Sequence, residues 1–271
     1  MLPQRQSHII KQKTGPDDPE LQVKLQEALG QVTPEDVIAI ADELAERHAR
    51  LFPDTSTRLS ASLKADPSRF ASASVDIFSA VTHTKANART LSNHFSQDDY
   101  KLFDELFNGE APTPVRVAAF VETLNALDTR LALELATGLL HNTSPKDNWL
   151  WTRWLWDPTT GTGILPLLAG STHNLLADNL ADGYARVGAV TAMSMKFAEG
   201  TGLWSEELVG DEARAPFTNS AFLACAYSVY MYGSTSWRLN KDFNNLLPSL
   251  PNMARKLLGL PKVNGETPMV E

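Results

Sequence analysis

Two long segments without a charged residue constrain the fold of this chain more than any other feature. Residues 158–177 and 215–237 contain no Asp, Glu, Lys or Arg, and they span 20 and 23 residues. Such segments must be buried on most sides, either inside the protein or in a bilayer, which about 20 apolar residues suffice to cross. Both carry several Ser, Thr and Asn residues, and the mean hydropathy of the chain is -0.21. These properties favour central core helices over membrane helices or an oligomer interface.

Signals for helix starts and stops recur along the chain. Thr33–Asp36 offers an N-cap, a proline in the first turn and acidic residues beside it. Asp66-Pro67 and Ser96 are further starts, and Gly109 is a stop. The other predicted helices run from Thr113 to about His141 and over about 165–200, 217–238 and 249–259. The sequence therefore predicts an all-α fold, a single multi-helix globular bundle with buried, charge-poor central helices in the second half.

The predicted organisation is a helical domain over residues 19–260, with a flexible arm at 1–18 and a flexible tail at 261–271. Segments 109–114 and 157–163 resemble linkers, but helices so regularly spaced are expected to join one bundle. The one cysteine, Cys225, cannot form an intrachain disulfide. The first twenty residues lack the apolar core of a secretory signal. A cytoplasmic location is predicted on these grounds.

The net charge of the chain limits the classes of partner that it is expected to bind. The net charge is -8 and no Lys/Arg-rich run occurs, so a nucleic-acid partner is not expected. Membrane insertion is disfavoured by composition. An apolar small-molecule ligand and a homo-oligomer are the partners that the sequence leaves open.

The predicted helix ending near His141 carries three candidate site residues. Asp128 falls within its apolar face, where a carboxylate must find a partner or shift its pKa upward, so it is a candidate catalytic residue. The alternative is a hydrogen bond from a neighbouring helix end or an ion pair with an arginine. Glu134 and His141 stand seven residues apart, on one side of the helix, and are candidate ligands for iron or manganese or an acid–base pair.

The Glu134-x6-His141 spacing resembles the start of the ligand set in helical di-iron oxidases of the haem-oxygenase-like fold. The later His-x-x-x-Asp pattern of that family has no counterpart around His173, since Asp178 comes five residues on. The sequence does not assign the chain to that family.

His173 and Asp178 form a second candidate site. His173 lies in a charge-free segment and is a candidate axial ligand of haem, while Asp178 is a candidate catalytic residue. Small residues of the following helix, including Gly188, would let a flat cofactor approach. The alternatives are a hydrogen-bonded core histidine and a solvated stripe in which Asp182 pairs with Arg186 one turn on.

Four of the six tryptophans of the chain lie within residues 149–156. Trp149 and Trp154 are candidate walls of a cofactor or ligand pocket, because broad amphipathic rings favour pockets and interfaces. The alternatives are wedging between core helices and an oligomer contact. Cys225 has apolar neighbours and is interpreted as a small buried residue.

The leading hypothesis is a helical enzyme that acts on a hydrophobic or aromatic small molecule, with haem or non-haem iron as the candidate cofactor. A charge-poor, Trp-rich second half with isolated His and carboxylate residues motivates it. The second hypothesis is a non-catalytic binding or assembly protein that uses residues 149–156 and 215–237 as an interface.

Overall fold

The computed structural model describes residues 29–30, 32–52, 67–96, 99–169, 173–205, 210, 213–236 and 248–263. Over these residues the chain forms ten α-helices and no strand, which confirms the predicted all-α class. The helices are α1 Pro34–Leu51, α2 Pro67–Ala80, α3 Ala88–His94, α4 Tyr100–Asn108, α5 Thr113–Thr123, α6 Thr129–Thr143, α7 Leu165–Ala169, α8 Leu180–Thr201, α9 Ala215–Ser236 and α10 Leu250–Leu257. The predicted arm at 1–18 and most of the predicted tail lie outside the described residues.

Several helices begin and end where local sequence signals predict. Thr33 accepts a hydrogen bond from the Asp36 N–H through its side chain at 3.2 Å, and the Asp36 carboxylate accepts from the Thr33 N–H at 3.0 Å. This reciprocal capping box satisfies two backbone donors that the first turn of α1 leaves without a helical partner. Helix α4 ends at Asn108, directly before Gly109.

The helix predicted from Thr113 to about His141 is instead two helices, and this changes the position of Asp128. Helix α5 ends at Thr123, and α6 begins at Thr129 with Asp128 as its N-cap. The Asp128 carboxylate accepts hydrogen bonds from two backbone N–H groups of the first turn, each at 3.1 Å, and its side chain is 62% exposed. The prediction that Asp128 lies in an apolar helix face was therefore wrong. Apolar residues keep a helical spacing on both sides of the break, so the sequence pattern did not indicate the turn between the two helices.

The helix predicted over 165–200 is also interrupted. Helix α7 ends at Ala169, and residues 173–177 carry no regular secondary structure before α8 begins at Leu180. Asn179 caps α8 by accepting a hydrogen bond from the Asp182 N–H at 2.9 Å. Gly202 follows the helix with a φ of 75°, a left-handed conformation that glycine adopts without steric cost.

Helix α9, formed by the second charge-free segment, is central. Its described residues from Phe217 to Ala226 are buried, apart from Ser220, and the helix packs against α1, α8 and α10. Ion pairs of Arg214 with Asp42 and of Arg255 with Glu43 connect α1 to the start of α9 and to α10. The predicted central, charge-poor helix is thus present.

Arg47 connects the ends of two helices to α1. Its guanidinium donates to the backbone carbonyls of Ala80 at 2.7 Å and Leu258 at 2.8 Å, at the C-terminal ends of α2 and α10. It also donates to the Thr82 hydroxyl at 3.2 Å. Carbonyls at the end of a helix lack partners within that helix, so the half-buried Arg47 cation satisfies two of them.

One hydrophobic cluster contains residues from both sides of each linker-like segment, 109–114 and 157–163. The second segment closes a tight turn in which the Asp157 N–H donates to the Thr162 carbonyl at 2.8 Å. In the part of the chain that the structure describes, no helix has both the length and the apolar composition needed to cross a bilayer.

Candidate functional site

The tryptophan-rich segment 149–156 packs against the small residues of α8. A Cβ atom on Gly188 would lie 2.2 Å from Cδ1 of Trp149, and one on Gly183 would lie 2.7 Å from Cη2 of Trp151. Between these glycines, the Tyr184 hydroxyl donates to the Trp149 carbonyl at 3.0 Å and accepts from the Trp149 N–H at 2.9 Å. Gly188, predicted to make room for a flat cofactor, instead makes room for an indole ring.

A cavity of about 330 Å³ lies between this segment, the end of α6, α8 and α9. We call it the main cavity. Its apolar wall includes Trp149, Trp154, Leu155, Met195, Pro216 and Leu223. Trp149 and Trp154, predicted to line a pocket, do so here.

The polar groups of the main cavity are few and are contributed mainly by α8 and α9. The Asn219 side chain donates to the Thr191 carbonyl at 3.0 Å and accepts from the Ser194 hydroxyl at 3.0 Å, which fixes α9 against α8. The Trp154 indole N–H and the Thr191 hydroxyl are buried and have no hydrogen-bond partner among the described residues. Buried polar groups without a hydrogen-bond partner lower the stability of the folded protein, and a ligand that hydrogen-bonds to them would remove this cost.

Among the described residues that line the main cavity, His141 is the one histidine. Its Nδ1 atom lies 2.9 Å from the Asn148 carbonyl oxygen. Because a carbonyl can only accept, Nδ1 carries the proton and Nε2 has the free lone pair. Burial lowers the pKa of His141, the hydrogen bond to Asn148 opposes this, and nearby His48 adds to the lowering. His141 is therefore a neutral imidazole at neutral pH, able to accept a proton at Nε2.

A second, smaller cavity of about 50 Å³ adjoins the main cavity at a wall formed by His141, Leu150 and Ser220. We call it the inner cavity. His48 lines it and donates from Nε2 to the Asn142 carbonyl at 2.7 Å. His83 lines it too, and burial together with the Arg47 charge lowers the pKa of His83 to about 4.

Glu134 opens to other cavities than His141, although the two share a helix. It lines a surface groove of about 780 Å³, which is larger than the main cavity, and a neighbouring pocket of about 220 Å³. Arg153 and Asp157 line both, and their side chains form an ion pair at 3.2 Å. Burial raises the pKa of Glu134, against a hydrogen bond from the Arg153 backbone N–H and the charges of two arginines. Among the described residues, no group of three or more His, Cys, Asp or Glu side chains is arranged to hold a metal ion. Iron binding by Glu134 and His141 stays a prediction.

The second predicted site lies on the surface side of α8. Asp178 is exposed in the bend before the helix, and His173 is partly buried in the segment that leads to it. Arg186 donates to the carbonyls of Asn174 at 3.0 Å and Leu176 at 2.5 Å, whereas Asp182 interacts with Asn179. These contacts fit a solvated stripe, with backbone carbonyls as the partners of Arg186. Neither Asp178 nor His173 lines the main cavity.

Most residues of the two segments proposed as an interface are buried within the chain, where the structure describes their side chains, at 149–156 and 215–231. Trp151, Trp154 and Trp156 are each at most 5% exposed, and so are the apolar core residues of α9. Cys225 of that helix is fully buried, and burial raises the pKa of its thiol to about 12. Packing within the fold therefore explains the apolar composition of both segments over the side chains that the structure describes.

Sequence reasoning missed Thr191, Asn219, Ser220 and Lys146, which all line the main cavity. The available signal was the Asn-Ser pair in a helix without charges, because a buried amide needs partners on another element. Comparisons with protein-family models, curated proteins and solved structures found no match. A proposal for function therefore starts from the cavity.

Proposed function

We propose that this chain is an enzyme that binds a small hydrophobic or aromatic molecule in the main cavity. The supporting observation is a cavity of about 330 Å³ with mostly apolar walls and few polar groups, one of which is a titratable imidazole. Ligand sites have this composition, with volumes of about 300–1,000 Å³. The indoles of Trp149 and Trp154 offer apolar surface to an aromatic ring.

His141 is the proposed general base. The Asn148 carbonyl fixes its tautomer, and its neutral state leaves Nε2 able to take a proton from a bound substrate. The same carbonyl then stabilises the imidazolium through the Nδ1 hydrogen bond. His141→Asn keeps a donor near the position of Nδ1 for the Asn148 carbonyl but removes the base, so we expect ligand binding to persist and turnover to stop.

The two candidate cofactors, non-haem iron and haem, differ in how well they fit the main cavity. A non-haem iron site of the common kind needs two histidines and a carboxylate, and the described lining of the main cavity includes neither a second histidine nor an Asp or Glu. The residues therefore do not fit such a site. Haem needs one axial ligand, and Nε2 of His141 would supply it while Nδ1 is held by a carbonyl, but an imidazole that holds iron through Nε2 cannot also act as the proposed base. The absorption spectrum and iron content of the purified protein test this part.

Binding is tested with a neutral aromatic probe, naphthaleneacetamide, titrated by isothermal calorimetry. Ala192→Phe adds a ring at the cavity, whereas Ala189→Phe adds the same ring one turn earlier on α8, at an exposed residue outside the lining. We expect saturable binding by the wild type and by Ala189→Phe, and at least a tenfold weaker affinity for Ala192→Phe, roughly the effect of losing one buried ring contact. Absence of saturable binding by the wild type, or equal affinity of the two variants, would refute the proposed site.

A further inference from the structure

The hydroxyl of Thr191 differs from those of five other threonines in the described helices. A threonine within a helix can donate to a backbone carbonyl one turn earlier, which satisfies its hydroxyl locally. This hydrogen bond, at 2.7–3.3 Å, is present at Thr123, Thr137, Thr143, Thr201 and Thr218. Thr191 is 6% exposed, and its hydroxyl has no partner among the described residues. The helix itself therefore does not satisfy this group.

Thr191 lines the main cavity and none of the other three cavities described above. The indole N–H of Trp154, also buried and without a described partner, belongs to a second residue of the same lining. An indole N–H can only donate, and a threonine hydroxyl can donate as well as accept. The polar group that complements both is a hydrogen-bond acceptor.

We infer that the ligand of the main cavity is an uncharged aromatic carbonyl compound, whose oxygen accepts a hydrogen bond from the Thr191 hydroxyl. This inference rests on the proposed function and specifies its ligand class. The aromatic ring of the ligand packs against the apolar wall that includes Trp149 and Trp154. A carbonyl oxygen has two lone pairs, so it can also accept from a second donor such as the Trp154 N–H.

The surroundings of Thr191 favour an uncharged acceptor over an anion. The described lining includes no Asp or Glu, and Lys146 is exposed at the protein surface, where water screens its charge. Asn219, which donates to the Thr191 carbonyl, and Ser194, which donates to Asn219, are both uncharged. A buried anion needs a cation or several donors beside it, whereas a carbonyl does not. The hydroxyl and the indole N–H donate without any change of protonation.

Thr191→Val tests the contact, because valine has a shape and a helix propensity similar to those of threonine but no hydroxyl. Two probes are compared by equilibrium dialysis: acetylnaphthalene, which is a ketone, and isopropenylnaphthalene, in which a CH₂ group replaces the oxygen. We expect Thr191→Val to bind the ketone about three- to tenfold more weakly than the wild type, as loss of one hydrogen bond predicts. Its affinity for the alkene should be unchanged or higher.

The stability of the variant gives a second, independent readout. Because the Thr191 hydroxyl has no described partner in the free protein, Thr191→Val should melt at the same temperature as the wild type or above it. Thr191→Ala, which introduces a stronger helix former, should show the same loss that is specific for the ketone. A variant that binds the ketone less well without being less stable is the expected signature of a hydroxyl reserved for a ligand.

Thr218→Val is the matched control. Thr218 is also buried, lies in α9 and donates to the Arg214 carbonyl at 3.3 Å, and it is outside the lining of the main cavity. It should bind both probes like the wild type. A loss of ketone affinity in Thr218→Val as large as in Thr191→Val would overturn the assigned contact.

The remaining outcomes separate this inference from the proposed function. If Thr191→Val binds the ketone like the wild type, or loses equal affinity for both probes, the inferred ligand class is wrong while the proposed cavity function stands. If Thr191→Val melts well below the wild type, its hydroxyl has a partner inside the protein and the inference is wrong. If the wild type binds neither these probes nor naphthaleneacetamide, the proposed function fails and this inference fails with it.

Discussion

Replacement of Gly188 by alanine tests how the wall of the main cavity is built. In a helix interior, alanine is favoured over glycine by about 0.5–1 kcal/mol. At Gly188 the new methyl group would lie 2.2 Å from Cδ1 and 2.3 Å from Nε1 of Trp149, whereas ordinary contact distances are 3.4–4 Å. The indole must move by about an ångström or more to reach such a distance, although two hydrogen bonds between the Trp149 backbone and Tyr184 hold its segment on α8.

The expected magnitude follows from these opposing effects. Overpacking of a fitted contact costs about 1–3 kcal/mol, which exceeds the helix-propensity gain. Gly200 lies in the same helix, and a methyl group added there would have no atom within 4 Å, so Gly200→Ala shows the propensity gain alone. Gly188→Ala should therefore be less stable than Gly200→Ala by about 1–3 kcal/mol in urea denaturation. It should also weaken binding of naphthaleneacetamide, because Trp149 lines the cavity.

The comparison has a clear negative result. If Gly188→Ala is as stable as Gly200→Ala and binds the probe with wild-type affinity, Trp149 does not pack on Gly188. The description of the cavity wall would then be wrong.

Three other substitutions or treatments probe separate features. Asp128→Ala should lower the free energy of unfolding by about 0.5–2 kcal/mol through loss of the α6 N-cap, without altering probe affinity; reduced affinity at unchanged stability would indicate a role in the site instead. His83 has a pKa of about 4 in the folded protein against 6.5 as its ordinary value, so the unfolded chain takes up a proton that the folded protein excludes, and stability falls as the pH drops from 6.5 towards 4. His83→Gln should remove up to roughly 3 kcal/mol of this loss, measured by urea denaturation across that interval; an unchanged pH profile would contradict the burial of His83. Cys225 should react with a thiol reagent only in denaturant, and rapid labelling of the folded protein would show that α9 is not closed.

The helices were predictable where the chain carries local signals for their ends. The capping box at Thr33 depends on two side chains three residues apart, and α4 ends directly before Gly109, where the backbone becomes extended. The break between α5 and α6 was missed because apolar spacing is periodic and a short turn can keep the same phase. Asp128-Thr129 was a usable N-cap signal, but it was outweighed by that periodicity.

The candidate site was predictable only in part, because a cavity depends on contacts between distant segments. Trp149 and Trp154 were selected by their unusual density in the sequence, and both line the main cavity. His141 and Glu134 line different cavities because Arg153 and Asp157 pack beside Glu134. The spacing of residues within one helix cannot predict this, because Arg153 and Asp157 lie outside that helix. Asn219 connects to Thr191 across 28 positions of sequence, which no local pattern reveals.

The ion pair between Glu43 and Arg255 has a consequence for synthesis of the chain. The two residues are 212 positions apart, and translation at about 5–20 residues per second separates their appearance by roughly 10–40 s. Until Arg255 and Leu258 are synthesised, Glu43 lacks its ion-pair partner and Arg47 lacks one of its two carbonyl acceptors. For most of this time α1 also lacks α9, against which it packs in the folded protein. During most of its synthesis, the nascent chain therefore has a first helix whose apolar face is not covered by the later helices. A chaperone that holds this helix until α10 emerges should raise the yield of native protein more than it raises the rate of folding.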